Sequence, residues 1–139
     1  MDINVYLSFN GNCEQAFRFY EKALGGKIEA IYPYEGSPAA AQVPKDMVKK
    51  IMHARVTVPG GGTLMGSDAC GPDGYQKPQG FTVSLNVEKP ADAERFSRAL
   101  SESGTTKMPM QETFWAARFG MCVDRFGIPW MVNCEAGKN

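Results

Sequence analysis

The feature that most constrains the fold is an internal duplication. Two amphipathic helical patterns carry apolar stripes of the same spacing. Each apolar position of the first stripe has an apolar counterpart 76 residues later in the second. The stripes are Phe17, Tyr20 and Leu24 in the first pattern and Ala93, Phe96 and Leu100 in the second. An alternation of apolar and polar residues, typical of a strand, precedes each helix. A repeated unit of this size predicts two similar modules.

The first module begins with an alternating strand that ends at Phe9. A helix is expected over Cys13–Leu24, with Asn12 as its N-cap and Gly25-Gly26 as its stop. Strands are then predicted over Lys27–Tyr34, Ile51–Val58 and Thr63–Ser67.

The second module repeats this order. A strand over Phe81–Val87 is followed by a helix that begins at Pro90 and ends before Ser103-Gly104. Strands are then predicted over Thr105–Met110, Trp115–Val123 and Ile128–Asn133. Between the last two lies the turn Asp124-Arg125-Phe126-Gly127, in which the Asp124 carboxylate can accept from turn N–H groups and Gly127 can take positive φ.

Each βαβββ module has one helix, which covers one face of its sheet. We therefore expect an α+β fold in which two βαβββ modules form a curved mixed sheet with a cleft, and the helices lie on the outer face. Residues 1–139 are expected to make one domain, with modules at about 1–68 and 80–134 linked by 69–79.

Composition excludes several classes of partner. Fifteen basic residues balance fifteen acidic ones without a basic run, which disfavours nucleic acid. No apolar run approaches the ~20 residues that span a bilayer, and the first residues lack the positive charge of a signal peptide. A cytoplasmic protein is the expectation. The four cysteines show no C-x-x-C spacing and are interpreted as reduced packing residues, with Cys70 the candidate for a reactive thiol.

The segment Glu35–Lys50 breaks the periodic pattern with two prolines and an alanine-rich centre. Two interpretations are open. It is a lid or binding loop, or it is a surface excursion with a short helix after Pro44.

Three segments together resemble the vicinal-oxygen-chelate superfamily of glyoxalases, extradiol dioxygenases and fosfomycin- and bleomycin-resistance proteins, and within it the PhnB-like branch. They are YLSFNGNCEQAFRFYEKALGG (Tyr6–Gly26), HARVTVPGGGTLMGSDA (His53–Ala69) and QETFWAARFGMCVDRFGIPWMVN (Gln111–Asn133). The resemblance implies a single glyoxalase/bleomycin-resistance-like domain, a cleft in each protomer, and a homodimer.

Members of this superfamily that use metal place His, Glu or Gln on four strands, two in each module. Carried over to this sequence, those positions fall on Asn4 or Tyr6, on Met65, on Thr82 and on Met131. Hard divalent cations prefer carboxylate, imidazole or carbonyl donors, which these residues do not supply. The resemblance therefore predicts no metal and no other cofactor.

The polar strand faces opposite the helices either meet solvent or line the cleft. On the second interpretation, the candidates for contact with a ligand are Tyr6, Met65, Asp68, Thr82, Phe114, Trp115 and Met131. Trp130 has the strand parity of Val132 and is interpreted as core.

Two residues are catalytic candidates. His53 can act as an acid–base group or be an ordinary structural histidine. Glu112 can act as a base at an apolar entrance to the cleft, or it can be a surface charge. The leading hypothesis is a PhnB-like protein that binds a small organic molecule without a divalent metal. The alternative is a glyoxalase- or dioxygenase-like enzyme that uses metal or acid–base residues in the same cleft.

Overall fold

Both halves of the chain have the predicted βαβββ order. The computed structural model describes residues 1–70 and 74–135, which form two units, Met1–Lys77 and Pro78–Asn139. The first unit contains β1 (Val5–Phe9), α1 (Cys13–Leu24), β2 (Lys27–Pro33), β3 (Ile51–Thr57) and β4 (Thr63–Asp68). The second contains β5 (Val83–Val87), α2 (Pro90–Ser101), β6 (Thr105–Gln111), β7 (Ala116–Val123) and β8 (Pro129–Glu135).

Each unit has one four-stranded mixed sheet. The strand order is β1-β4-β3-β2 in the first and β5-β8-β7-β6 in the second. The pairs β1/β4 and β5/β8 are parallel, and the other pairs are antiparallel. The predicted α+β class is confirmed, with the strands hydrogen-bonded into two sheets of four.

Helix α1 has the predicted bounds, but its N-terminus is capped differently from the prediction. The Asn12 side chain makes no capping hydrogen bond. Instead, the Cys13 backbone N–H donates to Asp68 Oδ1 over 2.9 Å, from the end of β4. The helix ends at Gly25 in the left-handed conformation, as the Gly-Gly pair predicts. The capping residue lies 55 residues from the helix in the sequence, so no local sequence pattern identifies it.

Helix α1 packs closely on β4. Phe17 is fully buried, and a Cβ on Gly66 would lie 2.9 Å from Phe17 Cε1 and 2.7 Å from the Leu7 carbonyl oxygen. In the second unit the corresponding positions hold Ala93 on the helix and Val132 on the strand, both buried. The first unit has the larger residue on the helix, and the second unit has it on the strand. The volume filled between helix and sheet is therefore similar in the two units.

The β7–β8 turn is organised by Asp124, as predicted. Its Oδ1 accepts from the backbone N–H groups of Phe126 (2.8 Å) and Ile128 (3.0 Å), and Gly127 has φ +88°. Its Oδ2 also accepts from Trp130 Nε1 over 2.9 Å, a contact the sequence did not indicate. Trp130 is buried, which confirms its interpretation as core.

The Glu35–Lys50 segment contains two short 3-10 helices, Pro38–Gln42 and Lys45–Met47. The second is the short helix expected after Pro44. Backbone hydrogen bonds from Tyr34 N–H to the Lys50 carbonyl and from Glu35 N–H to the Val48 carbonyl hold the two ends of the segment together. Within the described residues, no helix has the length and apolar character needed to cross a membrane.

Candidate functional site

The first open face is the side of the β1–β4 sheet that points away from α1. On β1 and β4, buried residues alternate with more exposed ones, and Tyr6 and Met65 belong to the more exposed set. Cross-strand register places Tyr6 opposite Met65 and Met65 opposite Arg55. His53 lies two residues before Arg55 on β3. Two predicted ligand contacts and one catalytic candidate therefore share one surface.

Tyr6 and His53 are in direct contact although β4 lies between their strands. The Tyr6 hydroxyl is 3.4 Å from His53 Nδ1, and the two ring centroids are 5.9 Å apart. The tyrosine side chain therefore extends across β4 to reach the histidine. At this distance the hydrogen bond is weak, and the imidazole tautomer decides which group donates.

Asp68 lies on the helix-facing side of the same sheet and is 1% exposed. Besides capping α1, its carboxylate accepts from the Ile51 backbone N–H over 2.8 Å, and its carbonyl oxygen accepts from the Tyr34 hydroxyl over 3.0 Å. Side chains alternate between the two faces along β4, so Asp68 and Met65 lie on opposite faces of the sheet. We therefore do not place Asp68 among the ligand-contacting residues. Its carboxylate joins the start of α1, the start of β3 and the end of β4.

The buried thiols are held in the protonated form. Burial, with smaller contributions from the charges of Asp68 and Glu14, raises the pKa of Cys13 to about 12. Burial and then the Asp124 charge raise the pKa of Cys122 to about 11. Cys134 is also buried, whereas Cys70 is partly exposed. The structure thus supports the interpretation of cysteines as packing residues, because a buried neutral thiol is unreactive.

The second open face is the side of the β5–β8 sheet that points away from α2. Met131 lies on it, with Ser84 opposite on β5 and Met121 opposite on β7. Thr82, the predicted contact on this strand, precedes β5 and is not the cross-strand partner of Met131. Leu7 and Leu85 occupy equivalent positions 78 residues apart, and this offset pairs Tyr6 with Ser84. The same offset relates Asn4 to Thr82, so the choice of Tyr6 over Asn4 as the position on the first strand would have found Ser84.

The amide of Asn133 lies next to Met131 on the same face, two residues along β8. Its Nδ2 donates to Asn86 Oδ1 over 3.3 Å. Its Oδ1 is buried and has no hydrogen-bond partner among the described residues. Asn133 and Asn86 line a pocket of about 110 Å³. A buried acceptor without a donor is unfavourable, so this oxygen is suited to accept from an N–H or O–H group in the pocket.

An aromatic cluster lies just before β7. Phe114 is 95% exposed and Trp115 is 48% exposed. Their rings meet edge to face at 4.8 Å, and Trp115 meets Phe119 of β7 at 5.5 Å. Both predicted aromatic contacts are therefore open to solvent. Glu112, in the same loop, is also exposed, so it lacks the apolar surroundings that a role as base would require.

The site positions do not fit a divalent metal ion. In each sheet the parallel pair at the inferred site consists of one hydroxyl-bearing residue and one methionine: Tyr6 with Met65, and Ser84 with Met131. Thioethers and neutral hydroxyls are poor ligands for hard cations. Across residues 1–70 and 74–135, no three His, Cys, Asp or Glu side chains are grouped so that they could hold a metal ion.

Comparison with known proteins agrees with the fold. The sequence model of the glyoxalase/bleomycin resistance protein/dioxygenase superfamily matches residues 2–132. The chain belongs to this superfamily. Membership confirms the predicted resemblance and explains the paired βαβββ modules.

Relatives in this superfamily cover nearly the whole chain. Protein YjdN of Escherichia coli K12 is 36% identical over 141 residues, covering 96% of this chain and 95% of YjdN. The crystal structure of protein PA1353 from Pseudomonas aeruginosa is 48% identical, covers 96% of this chain and 98% of that one, and has a TM-score of 0.84. A Bacillus cereus protein described as a putative 3-demethylubiquinone-9 3-methyltransferase, PhnB protein, is 20% identical with a TM-score of 0.74 and covers 96% of this chain and 99% of that one. That last likeness establishes a shared fold.

Proposed function

We propose that this superfamily member binds a small organic molecule on the open faces of its sheets, without a divalent metal. The observation that carries the proposal is the repeated hydroxyl–methionine pair. Tyr6 with Met65 and Ser84 with Met131 occupy corresponding places on the parallel strand pairs of the two units.

The chemistry of these pairs suits an organic ligand. Methionine offers a polarisable and adaptable apolar contact, and each hydroxyl can donate or accept one directed hydrogen bond. A mostly apolar surface with a few directed polar groups is the usual composition of a small-molecule site.

The exposed aromatic rings support the same proposal. Phe114 and Trp115 offer flat apolar surface next to Phe119, whose cross-strand partner is Asn133. Contact with a planar ligand would remove this surface from water. Trp115 also supplies a probe, because Trp130 is buried and Trp115 is not. We expect ligand binding to change tryptophan fluorescence in the native protein and to leave that of Trp115→Phe unchanged.

The protein is proposed to act as a homodimer, as the family resemblance implies. Light scattering after size-exclusion chromatography measures the mass directly. A mass twice that of one chain at micromolar concentration is expected, and a monomer at all concentrations would contradict this part of the proposal.

A thermal-shift screen of small organic molecules tests the binding proposal. A ligand that binds only the native state raises the melting temperature once its concentration exceeds its Kd. Tyr6→Phe, which removes only the hydroxyl, should weaken a hit that bonds to that group by roughly tenfold. Tyr75→Phe, between the two sheets in sequence, is the matched control and should bind as the wild type does. A broad screen without any hit on native dimer would contradict the proposal.

A second candidate function is acid–base catalysis, favoured by the contact between the Tyr6 hydroxyl and His53 Nδ1. A histidine next to a phenol can move a proton to or from a ligand bound on the first open face. His53→Ala should then abolish whatever activity is found, and Glu112→Gln should not, because Glu112 is exposed. Full activity in His53→Ala would contradict this candidate while leaving ligand binding intact.

A further inference from the structure

Arg55 occupies an unusual position on the first open face. It projects from β3, an interior strand of the sheet, and it is exposed. Its cross-strand neighbours are Met65 on β4 and Ala30 on β2, neither of which carries a charge. Arg55 forms no hydrogen bond or ion pair with the described part of the chain, whereas Arg118 pairs with Glu94 at 3.2 Å. Its donors are therefore available to a bound molecule.

Arg55, Lys27 and Glu29, the charged residues on this part of β2 and β3, together carry one net positive charge. The carboxylate nearest to it along β2 is Glu29, which accepts from Thr57 Oγ1 over 3.0 Å. Lys27, the cross-strand partner of Thr57, adds a second positive charge at the end of the sheet. The same face of the sheet also carries the phenol of Tyr6 on β1 and the imidazole of His53 on β3.

From this arrangement we propose that the ligand carries an oxyanion, either a carboxylate or a phosphate ester, and that Arg55 binds it. The inference rests on the proposed function and specifies the chemical class of its ligand. A planar guanidinium presents two parallel N–H donors that match two oxygens of such a group. The Tyr6 hydroxyl can donate a third hydrogen bond, and the tyrosine and histidine rings provide contact for a flat organic body.

Three probes of similar shape test the inference by titration calorimetry: benzoate, phenyl phosphate and the neutral benzamide. The two anions distinguish a carboxylate from a phosphate as the preferred group. Wild-type protein should bind at least one anion roughly tenfold to a hundredfold more tightly than benzamide. This preference should decrease as the salt concentration rises, because Arg55 is exposed and its charge is screened.

Substitutions test whether Arg55 causes the preference for an anion over benzamide. Arg55→Gln should reduce binding of the preferred anion to the level of benzamide, and Arg55→Lys should keep only part of the preference, because a lysine cannot bind in the same two-point geometry. Arg98→Gln removes the same charge from the exposed side of α2 and should bind as the wild type does. Melting curves of each variant without ligand confirm that folding is unchanged.

The inference is wrong if benzamide binds as tightly as both anions, or if Arg55→Gln retains the anion preference. It is also wrong if the wild type binds none of the three probes. The thermal-shift screen then decides the proposed function separately, since a neutral hit would leave that function standing while this specification of it fails.

Discussion

Two buried carboxylates serve the architecture of this protein at the residue scale. Asp68 joins α1, β3 and the end of β4, and Asp124 binds the β7–β8 turn and the indole of Trp130. Both side chains are almost fully buried. A buried acidic residue in a superfamily that includes enzymes suggests a catalytic role, but the backbone and indole partners of these two account for their burial.

Removal of Asp124 tests this structural role. Asp124→Ala leaves the Trp130 N–H and two turn N–H groups without their acceptor, so we expect it to lower the free energy of unfolding by roughly 3 kcal/mol. Asp92→Ala is the control, because the Asp92 carboxylate pairs with Arg95 on the exposed side of α2 and should cost less than ~1 kcal/mol. Urea denaturation measures both. Equal effects would contradict the assignment.

The buried thiols predict how stability depends on pH. The pKa of Cys13 is raised to about 12 and that of Cys122 to about 11, above the 9.0 of a free thiol. A raised pKa in the folded state means that the unfolded chain loses its proton first as the pH rises. The contribution to stability is therefore complete below pH 9 and is lost between pH 9 and about pH 11 to 12.

Unfolding midpoints in urea at pH 8.0 and at pH 10.5 measure this loss, which is at most ~1.4 kcal/mol per pH unit for each thiol. Cys122→Ala should lower the overall stability and also reduce the decline with pH. A variant whose stability declines as steeply as that of the wild type would show that Cys122 does not contribute.

The sequence predicted the elements well because their signals are local. Helix α1 has its predicted bounds, and the β7–β8 turn has its predicted glycine. The errors involve contacts distant in sequence. Asn12 was expected to cap α1, but Asp68 does so. The residue paired with Met131 on β5 is Ser84, two residues after the predicted contact Thr82. Cross-strand register and remote caps depend on how elements pack, which periodicity alone does not specify.

The close packing of α1 on β4 gives a prediction at the element scale. Gly66→Ala places a methyl group against the Leu7 carbonyl and the Phe17 ring, so we expect a loss of roughly 2 kcal/mol of stability. Ser67→Ala, the next residue on β4, faces away from the helix and should cost less than ~0.5 kcal/mol. Thermal denaturation of the two variants compares them directly. An unchanged midpoint for Gly66→Ala would mean that helix and strand can separate at little cost.

The duplication sets the organisation of the whole molecule. Two units of the same topology each present one open sheet face, and the hydroxyl–methionine pair recurs at the corresponding place in both. The fold class could be predicted from the repeat and the family from three segments of sequence. The ligand could not, because no local pattern shows that, among residues 1–70 and 74–135, Arg55 has no ion pair and the Asn133 side-chain oxygen has no donor.

We propose that these faces bind an organic molecule at the positions that the family resemblance assigns to metal ligands. The most direct test is the metal content of untagged protein purified without chelator, together with its melting temperature in added zinc, nickel, manganese, magnesium and iron(II). We predict far less than one metal ion per chain and no rise in melting temperature, because thioethers and hydroxyls do not hold such ions. One tightly bound ion per chain, with a matching rise in melting temperature, would contradict the account.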